Sequence, residues 1–306
     1  MLRFLPGFIK GILASLSYGL NTIFWAIPLL ICALFKFIIP IPAWRNLCTI
    51  GVNFFADCWV ATNSFTMNQL NEIEFVVKGD FPESTRDWYL IVANHRSWVD
   101  IIAMQHILRG KVPFLKFFLK QELIYIPVIG LAWWALDFPF MKRYSKSTLR
   151  KKPHLKGKDI EETRRACEKF KTIPISIVNF VEGTRFTEAK HKQQGEPFEN
   201  LLRPRSGGIG YVMSMLGEQI HYILDITFFY PDENTDYWQF VTGKCKRIEI
   251  RIDSIPVDDS LRGDYINDPT FRARFQTWLT DRWKQKDAIL NDARASGSLP
   301  APGTDD

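Results

Sequence analysis

The stretch WYLIVANHRSWVD, residues 88–100, joins an apolar strand pattern to the start of a helix. Apolar and β-branched residues fill Trp88–Ala93, which is typical of a buried strand in a parallel sheet. Asn94 and His95 follow at its carboxyl end, and a helix is predicted from Ser97. Open α/β sheets bind ligands in the crevice outside the carboxyl ends of their strands. The stretch therefore predicts an α/β fold with a site at the mouth of this strand.

His95 and Asp100 form the first candidate pair in that site. On one continuous helix they would not face each other, because each residue turns the chain by about 100°. If His95 precedes the helix and Asp100 lies in its early turns, the carboxylate can reach back to one imidazole nitrogen. The pair would then be a general base with its orienting carboxylate. The alternative is a structural histidine, with Asp100 complementing the helix dipole.

A second apolar strand, predicted at Ile175–Val181, ends abruptly in Glu182, Gly183, Thr184 and Arg185. A flexible glycine and a fixed cation therefore emerge at the same end of the sheet as the histidine. The planar guanidinium of arginine suits a phosphate group. The alternative is an ordinary solvated turn with a surface ion pair.

The rest of the chain after residue 71 alternates between short apolar strands and helical patterns, which predicts a mostly parallel sheet with helices on both faces. This α/β domain is predicted at residues 72–294. The other predicted strands are Ile73–Val77, Leu136–Met141, Tyr222–Phe229 and Arg247–Ile252. The predicted helices are Ser97–Leu108, Gln121–Trp134, Asp159–Phe170, Gly208–Leu216 and Pro269–Leu290. Residues 295–306 are predicted to be a disordered tail.

Residues 1–71 are predicted to be a membrane anchor, a transmembrane helix followed by an amphipathic helix. Gly11–Phe35 contains no Asp, Glu, Lys, Arg or His and is long enough, as a helix, to cross a hydrocarbon core of about 30 Å. A secretory signal peptide is the competing interpretation, but its apolar region would be shorter and no convincing small-x-small cleavage site precedes Lys36. A second, amphipathic helix follows the break at Pro40–Pro42. It either packs on the core of the soluble domain or lies in the membrane interface.

Composition narrows the partners without identifying them. The 306 residues carry a net charge of +6, from 39 Lys and Arg against 33 Asp and Glu, which favours anionic partners. Residues 142–171 are especially basic. Their charge is either ordinary solvated surface charge or serves to attract anionic lipid, acyl carrier protein or coenzyme A. No stacking aromatics or binding module accompany this charge, so nucleic acid is not an expected partner.

The five cysteines are scattered without a C-x-x-C pair, which favours a reducing compartment and no zinc site.

The uncharged run Leu123–Leu136 is too short for an easy membrane span, and we expect it to face the membrane or the acyl chain.

Taken together, four blocks resemble the motifs of the glycerophospholipid acyltransferases, typified by 1-acyl-glycerol-3-phosphate acyltransferase. Asn94–Asp100 resembles the first motif and Glu182–Arg185 the third. Lys120–Arg143 is similar to the second, with a lysine where the family usually has an aspartate before the final arginine. Ile223–Thr227 lacks the usual proline of the fourth motif. The sequence EGTRFTEAKH, residues 182–191, looks like the eukaryotic-type branch and its bacterial relatives.

This resemblance implies roles for particular residues. It makes His95 and Asp100 catalytic. It assigns acceptor binding to Lys120, Arg143, Glu182, Gly183, Thr184 and Arg185. It requires no metal and no resident cofactor, because acyl-CoA or acyl carrier protein enters as a co-substrate.

The resemblance also implies a function and a place in the cell. The chain is expected to acylate the sn-2 hydroxyl of 1-acyl-glycerol-3-phosphate, at the inner membrane with its catalytic domain on the cytoplasmic side. Membrane lipids, a lysophospholipid and the acyl donor are its expected partners. Two alternatives stay open: an acyltransferase for another lysophospholipid, and a non-catalytic membrane protein that binds lipid.

Overall fold

The structure, a computed structural model, describes residues 2–141, 167–168, 170–171, 173–233 and 236–302. Arg143 therefore lies outside the described residues. So do most of the basic segment 142–171 and most of the helix predicted at Asp159–Phe170.

The chain begins with an antiparallel hairpin of two long helices, α1 (Gly7–Ile38) and α2 (Pro42–Leu70). Pro40 and Pro42 separate them, because proline lacks the amide hydrogen that continues a helix but fits at the first turn of the next. Polar side chains cross the interface: Asn21 Nδ2 donates to Asn63 Oδ1 at 2.7 Å, and further along the hydroxyls of Ser17 and Thr66 are 3.0 Å apart. The hairpin is thus held in one register.

The outer surface of the hairpin is apolar. Helix α1 is long and apolar enough to cross a membrane, judged by its length and composition. Helix α2 buries one side, at Val52, Ala56 and Val60. Its Leu47, Ile50 and Phe54 are all more than half exposed, at 58%, 62% and 61%. The second helix therefore packs inward on one side and presents apolar residues outward on the other.

Both ends of α1 contact the α/β domain. Near its start, the hydroxyl of Ser15 lies 3.1 Å from that of Tyr237. At its end, Lys36 forms an ion pair with Asp137 at 2.5 Å. The hairpin consequently lies along the domain.

The domain is built on a six-stranded sheet whose strand order is β1-β8-β7-β2-β6-β3. Neighbouring strands are parallel except for the antiparallel pair β7 and β8, which confirms the predicted mostly parallel sheet. A separate two-stranded sheet pairs β4 with β5. The strands are β1 (Glu74–Lys78), β2 (Trp88–Ala93), β3 (Leu115–Phe117), β4 (Leu119–Lys120), β5 (Phe140–Met141), β6 (Ser176–Phe180), β7 (Ile220–Phe229) and β8 (Arg247–Pro256).

Alternate residues of β2 bury opposite faces of the sheet, as the two-residue period of a strand requires. Ile91 and Ala93 join an apolar cluster with the first helix after the strand and with the hairpin. Leu90 and Val92 join a second cluster with the helices that cover the other face. The helices of the domain are α3 (Val99–Leu108), α4 (Ile129–Ala135), α5 (Glu188–Gln193), α6 (Gly207–Leu216), α7 (Tyr237–Val241) and α8 (Pro269–Ser296).

The single helix predicted at Gln121–Trp134 is divided in two. A 3₁₀ helix covers Gln121–Tyr125, and α4 begins only at Ile129. Pro127 explains the break, since proline disfavours a helical conformation in the residue before it. Val128 then takes a positive φ of 66°. The strand predicted at Leu136–Met141 is correspondingly reduced to the two residues of β5.

The end of the described chain differs from the predicted disordered tail. Helix α8 continues to Ser296 and stops at Gly297, whose φ of 79° suits glycine. Leu299 is only 1% exposed, and its backbone amide donates to Glu249 Oε2 at 2.6 Å. Because Glu249 is itself buried in β8, this contact holds residues 298–299 against the sheet.

Candidate active site

His95 and Asp100 meet at the carboxyl end of β2. His95 lies in the turn after the strand, and Asp100 is the second residue of α3. The carboxylate reaches back as the sequence predicted: His95 Nδ1 is 2.8 Å from Asp100 Oδ2. The other ring nitrogen, Nε2, makes no hydrogen bond within the described part of the chain, and the side chain is 14% exposed. That nitrogen is therefore available to a bound molecule.

The carboxylate of Asp100 is fully buried and closely surrounded by donors. Oδ2 accepts the backbone amides of Arg96 at 2.7 Å and Ser97 at 2.9 Å, in addition to the imidazole. Oδ1 accepts the hydroxyl of Tyr230. Hydrogen bonds to the charged form stabilise a buried carboxylate. Tyr230 was not predicted from the sequence, where the only signal for it is its place just past an apolar strand.

The ring of His95 is held by stacking as well as by Asp100. It lies on the ring of Phe180 with centroids 4.0 Å apart and planes at 16°. Phe180 stacks on Phe117 at 6.1 Å, and Phe117 on Phe138 at 6.4 Å. These four rings form a continuous stack, called the ring stack below, from the histidine toward the hairpin.

Asn94 acts on the protein scaffold. Its side chain is fully buried, accepts the amide of Phe228 at 2.8 Å and donates to the carbonyl of the same residue at 3.1 Å. This double hydrogen bond ties the carboxyl ends of β2 and β7 together.

The turn from Glu182 to Arg185 lies at the end of β6, beside the pair of His95 and Asp100, which is called the dyad below. Gly183 has a φ of 72°, which other residues adopt at a cost. Thr184 Oγ1 accepts the ammonium of Lys190 at 2.7 Å, and Lys190 also donates to the carbonyl of Arg185 at 2.9 Å. The guanidinium of Arg185 lies 5.2 Å from the ring centre of Trp98, a cation–π contact. Two cationic groups, of Arg185 and Lys190, thus lie at residues 182–185, which are called the cationic turn below. Of the two residues, only Arg185 was predicted from the sequence.

Glu182 is buried where a carboxylate is costly. It is 1% exposed, and neither of its oxygens has a hydrogen-bond partner within the described residues. Burial raises the pKa of Glu182 well above its usual range, and the positive charge of Arg96 only partly opposes that rise.

Lys120 is placed apart from this cluster. It is exposed on β4, and its side chain has no hydrogen bond or ion pair with any described site residue. The strand that pairs with β4 ends at Met141, directly before the segment that holds Arg143. The structure therefore brings together His95, Asp100 and residues 182–185, and leaves the second motif as a prediction.

An apolar cavity of about 530 Å³ lies between the hairpin and the domain. Phe117 and Phe138 of the ring stack lie in its wall, and so does Trp98. Apolar side chains of four helices complete it, among them Leu29, Val60, Ile101, Ala132 and Trp133. The wall of the cavity thus shares two rings with the stack that ends at His95. It also includes Trp98, which contacts Arg185.

No cluster of three or more His, Cys, Asp or Glu residues that could hold a metal ion is found within the described ranges.

The fully buried Lys286 forms an ion pair with Asp225 at 2.6 Å. Burial lowers the pKa of Lys286, and Asp225 opposes this.

Known proteins resemble this chain in sequence. The Acyltransferase family model matches residues 74–228. A protein of Arabidopsis thaliana named "Probable 1-acyl-sn-glycerol-3-phosphate acyltransferase 5" is 25% identical over 268 residues, covering 83% of this chain and 66% of the relative. The human 1-acyl-sn-glycerol-3-phosphate acyltransferase delta is 24% identical over 225 residues, covering 69% and 54%. The chain spans less than two thirds of the length of these curated relatives.

A solved structure has the same fold. It is the 1-acyl-sn-glycerophosphate acyltransferase of Thermotoga maritima, which superposes with a TM-score of 0.53 at 15% identity. The alignment covers 92% of this chain and 97% of that one, so the likeness includes the helical hairpin.

Proposed function

The chain belongs to the Acyltransferase family, and from that premise we propose that it transfers a fatty acyl group from a thioester to the sn-2 hydroxyl of 1-acyl-glycerol-3-phosphate. The donor is acyl-CoA or acyl carrier protein. The observation that carries this proposal is the hydrogen bond of 2.8 Å between His95 and Asp100, with Nε2 unbonded by any described residue. The relatives' names supply the class of acceptor.

The dyad supplies the chemistry of the transfer. Nε2 of His95 takes the proton of the acceptor hydroxyl while its oxygen bonds to the carbonyl carbon of the thioester. Asp100 stabilises the imidazolium that forms. The tetrahedral adduct then expels the thiolate, and the imidazolium returns its proton to the sulfur. A thiolate is a good leaving group, so the scheme needs no resident cofactor.

The cationic turn suits the acceptor's phosphate. Arg185 offers a planar pair of donors, and Lys190, on α5, adds an ammonium that reaches the same turn. Glu182, at the start of this turn, would orient a glycerol hydroxyl. The acyl chain fits the neighbouring cavity, because its apolar wall reaches the dyad through the ring stack.

An activity panel with the Arg185→Ala variant tests this function. Purified protein in detergent should acylate 1-acyl-glycerol-3-phosphate and discriminate against 1-acylglycerol, which has no phosphate. Arg185→Ala should raise the acceptor KM by about 10- to 100-fold, since a charge-assisted phosphate contact is lost, and leave the donor KM unchanged. Arg274→Ala, an arginine of α8 remote in sequence from the motifs, is the matched control.

Two results would contradict the proposal. A wild-type preference for another lysophospholipid would move the acceptor assignment to the remodelling alternative. A rise in the donor KM alone, in Arg185→Ala, would assign the cationic turn to the donor.

We also propose that the hairpin holds the domain at the cytoplasmic face of the inner membrane. The outward Leu47, Ile50 and Phe54 provide the apolar contact. Both ends of α1 contact the domain, through Tyr237 and Asp137, so they belong on one side of the bilayer. This placement differs from a full crossing, which the length of α1 also allows.

Labelling in sealed vesicles distinguishes these two placements. Ile41→Cys, in the turn between the helices, and Asp259→Cys, on the domain, are each made in a background without the five native cysteines. We expect the protein to pellet with the vesicles and both thiols to react with an impermeant maleimide from the same side. Reaction from opposite sides would establish a crossing, and recovery in the supernatant would reject the membrane anchor.

A further inference from the structure

Tyr230 is the one side-chain donor other than the histidine that touches the Asp100 carboxylate within the described chain. It is 5% exposed, and its hydroxyl donates to Oδ1, the oxygen that the imidazole does not use. A buried tyrosine hydroxyl usually has a partner, and here that partner is a catalytic candidate.

The sheet places Tyr230 there through Asn94. Strands β2 and β7 are parallel, and Ala93 pairs with Ile226 in their register. Asn94 then fixes Phe228 by two hydrogen bonds, just before β7 ends at Phe229. Tyr230, the next residue, is thereby directed at Asp100. The asparagine of the first motif thus connects the dyad to the neighbouring strand.

We propose that Tyr230 is a positioning residue for the acyl transfer, acting on His95 through Asp100. This inference rests on the proposed function of the dyad. Tyr230 holds Oδ1 while the backbone amides of Arg96 and Ser97 hold Oδ2, and together these donors keep Oδ2 directed at Nδ1 of the histidine.

The hydroxyl also sets how strongly the carboxylate attracts a proton. A donor to a carboxylate stabilises the anion and makes it less basic. Removing the hydroxyl leaves Oδ1 buried without a hydrogen-bond donor among the described residues. The carboxylate is then held through Oδ2 alone, by the two backbone amides and the imidazole.

Other charged and titratable groups surround the pair and stay constant in this comparison. Arg96 and Glu182 lie on the turns after β2 and β6, and Glu233 follows β7. Cys245, before β8, acts electrostatically on Tyr230, and Arg294, on α8, acts on Arg96. Lys286 acts in the same way on Glu182.

The test is Tyr230→Phe in the full-length, detergent-solubilised protein. We expect kcat to fall about tenfold with the acceptor KM little changed, because the loss of one hydrogen bond to a charged group acts on the base. Tyr89→Phe is the matched control: Tyr89 is 1% exposed, and its hydroxyl donates to the carbonyl of Pro82 at 2.6 Å.

A second measurement separates this inference from the function it rests on. The NMR resonance of the His95 ring proton on Nδ1, which reports the hydrogen bond to Asp100, should shift in Tyr230→Phe without any turnover. An unmoved resonance and an unchanged kcat would overturn the proposal, even if stability falls, since a purely structural tyrosine would change stability alone. A shifted resonance in a protein that acylates no lysophospholipid would retain Tyr230's action and reject the proposed function.

Discussion

Replacing His95 by alanine is expected to lower the rate of acyl transfer by about 10² to 10⁴, the usual contribution of a general base. The ring nitrogen Nε2 is the group in position to take the hydroxyl proton, and alanine leaves none. Asp100→Asn should fall in the same range. The amide keeps the shape but places an NH₂ or a weaker acceptor among donors that now meet a carboxylate.

Initial rates over a range of both substrates measure the effect on kcat/KM. His221→Ala is the control. His221 is 54% exposed near the amino end of β7, away from the carboxyl ends of β2 and β6 where the motif residues lie, called the motif end of the sheet below. Turnover of His95→Ala within a fewfold of wild type would reject the base mechanism.

Glu182→Gln is expected to stabilise the protein at neutral pH. Among the described residues the buried carboxyl has no hydrogen-bond partner, and the cost of such a group is about 1 to 3 kcal/mol. Its pKa is raised by burial, so the folded state binds the proton more tightly than the unfolded state. The free energy of unfolding of the wild type therefore falls as pH rises above the unfolded value of about 4.3.

Thermal unfolding at several pH values measures this prediction. The variant should be more stable than wild type at pH 7 to 8, and the difference should shrink as pH approaches 4, where the wild-type carboxyl is protonated in both states. Glu218→Gln, an exposed glutamate, should show no such trend. A Glu182→Gln protein that is less stable than wild type at neutral pH would show that the carboxylate has a stabilising partner.

The motif end of the sheet could be predicted from sequence because its pattern is local. Strand β2 occupies Trp88–Ala93 as predicted, since an apolar run bounded by polar residues specifies a buried strand. The reach of Asp100 to His95 followed from the geometry of one strand, one turn and the first turn of a helix. None of these steps depends on residues distant in the chain.

The remaining contacts depend on neighbours in space. Tyr230 and Asp100 are 130 positions apart, and Asn94 and Phe228 are 134 apart, so no spacing rule relates them. They meet only because β7 lies beside β2 in the sheet order. The break at Val128 was predictable in kind from Pro127, but its positive φ depends on packing around α4.

The ring stack has a consequence for the thermodynamics of each catalytic cycle. A free histidine side chain samples several rotamers, and ordering a side chain costs up to about 1.5 to 2 kcal/mol. Contact with Phe180 on one face, and with Asp100 at Nδ1, confines His95 to one conformer before any substrate arrives. That loss of conformational entropy is incurred when the chain folds. It does not recur in the activation entropy of every turnover.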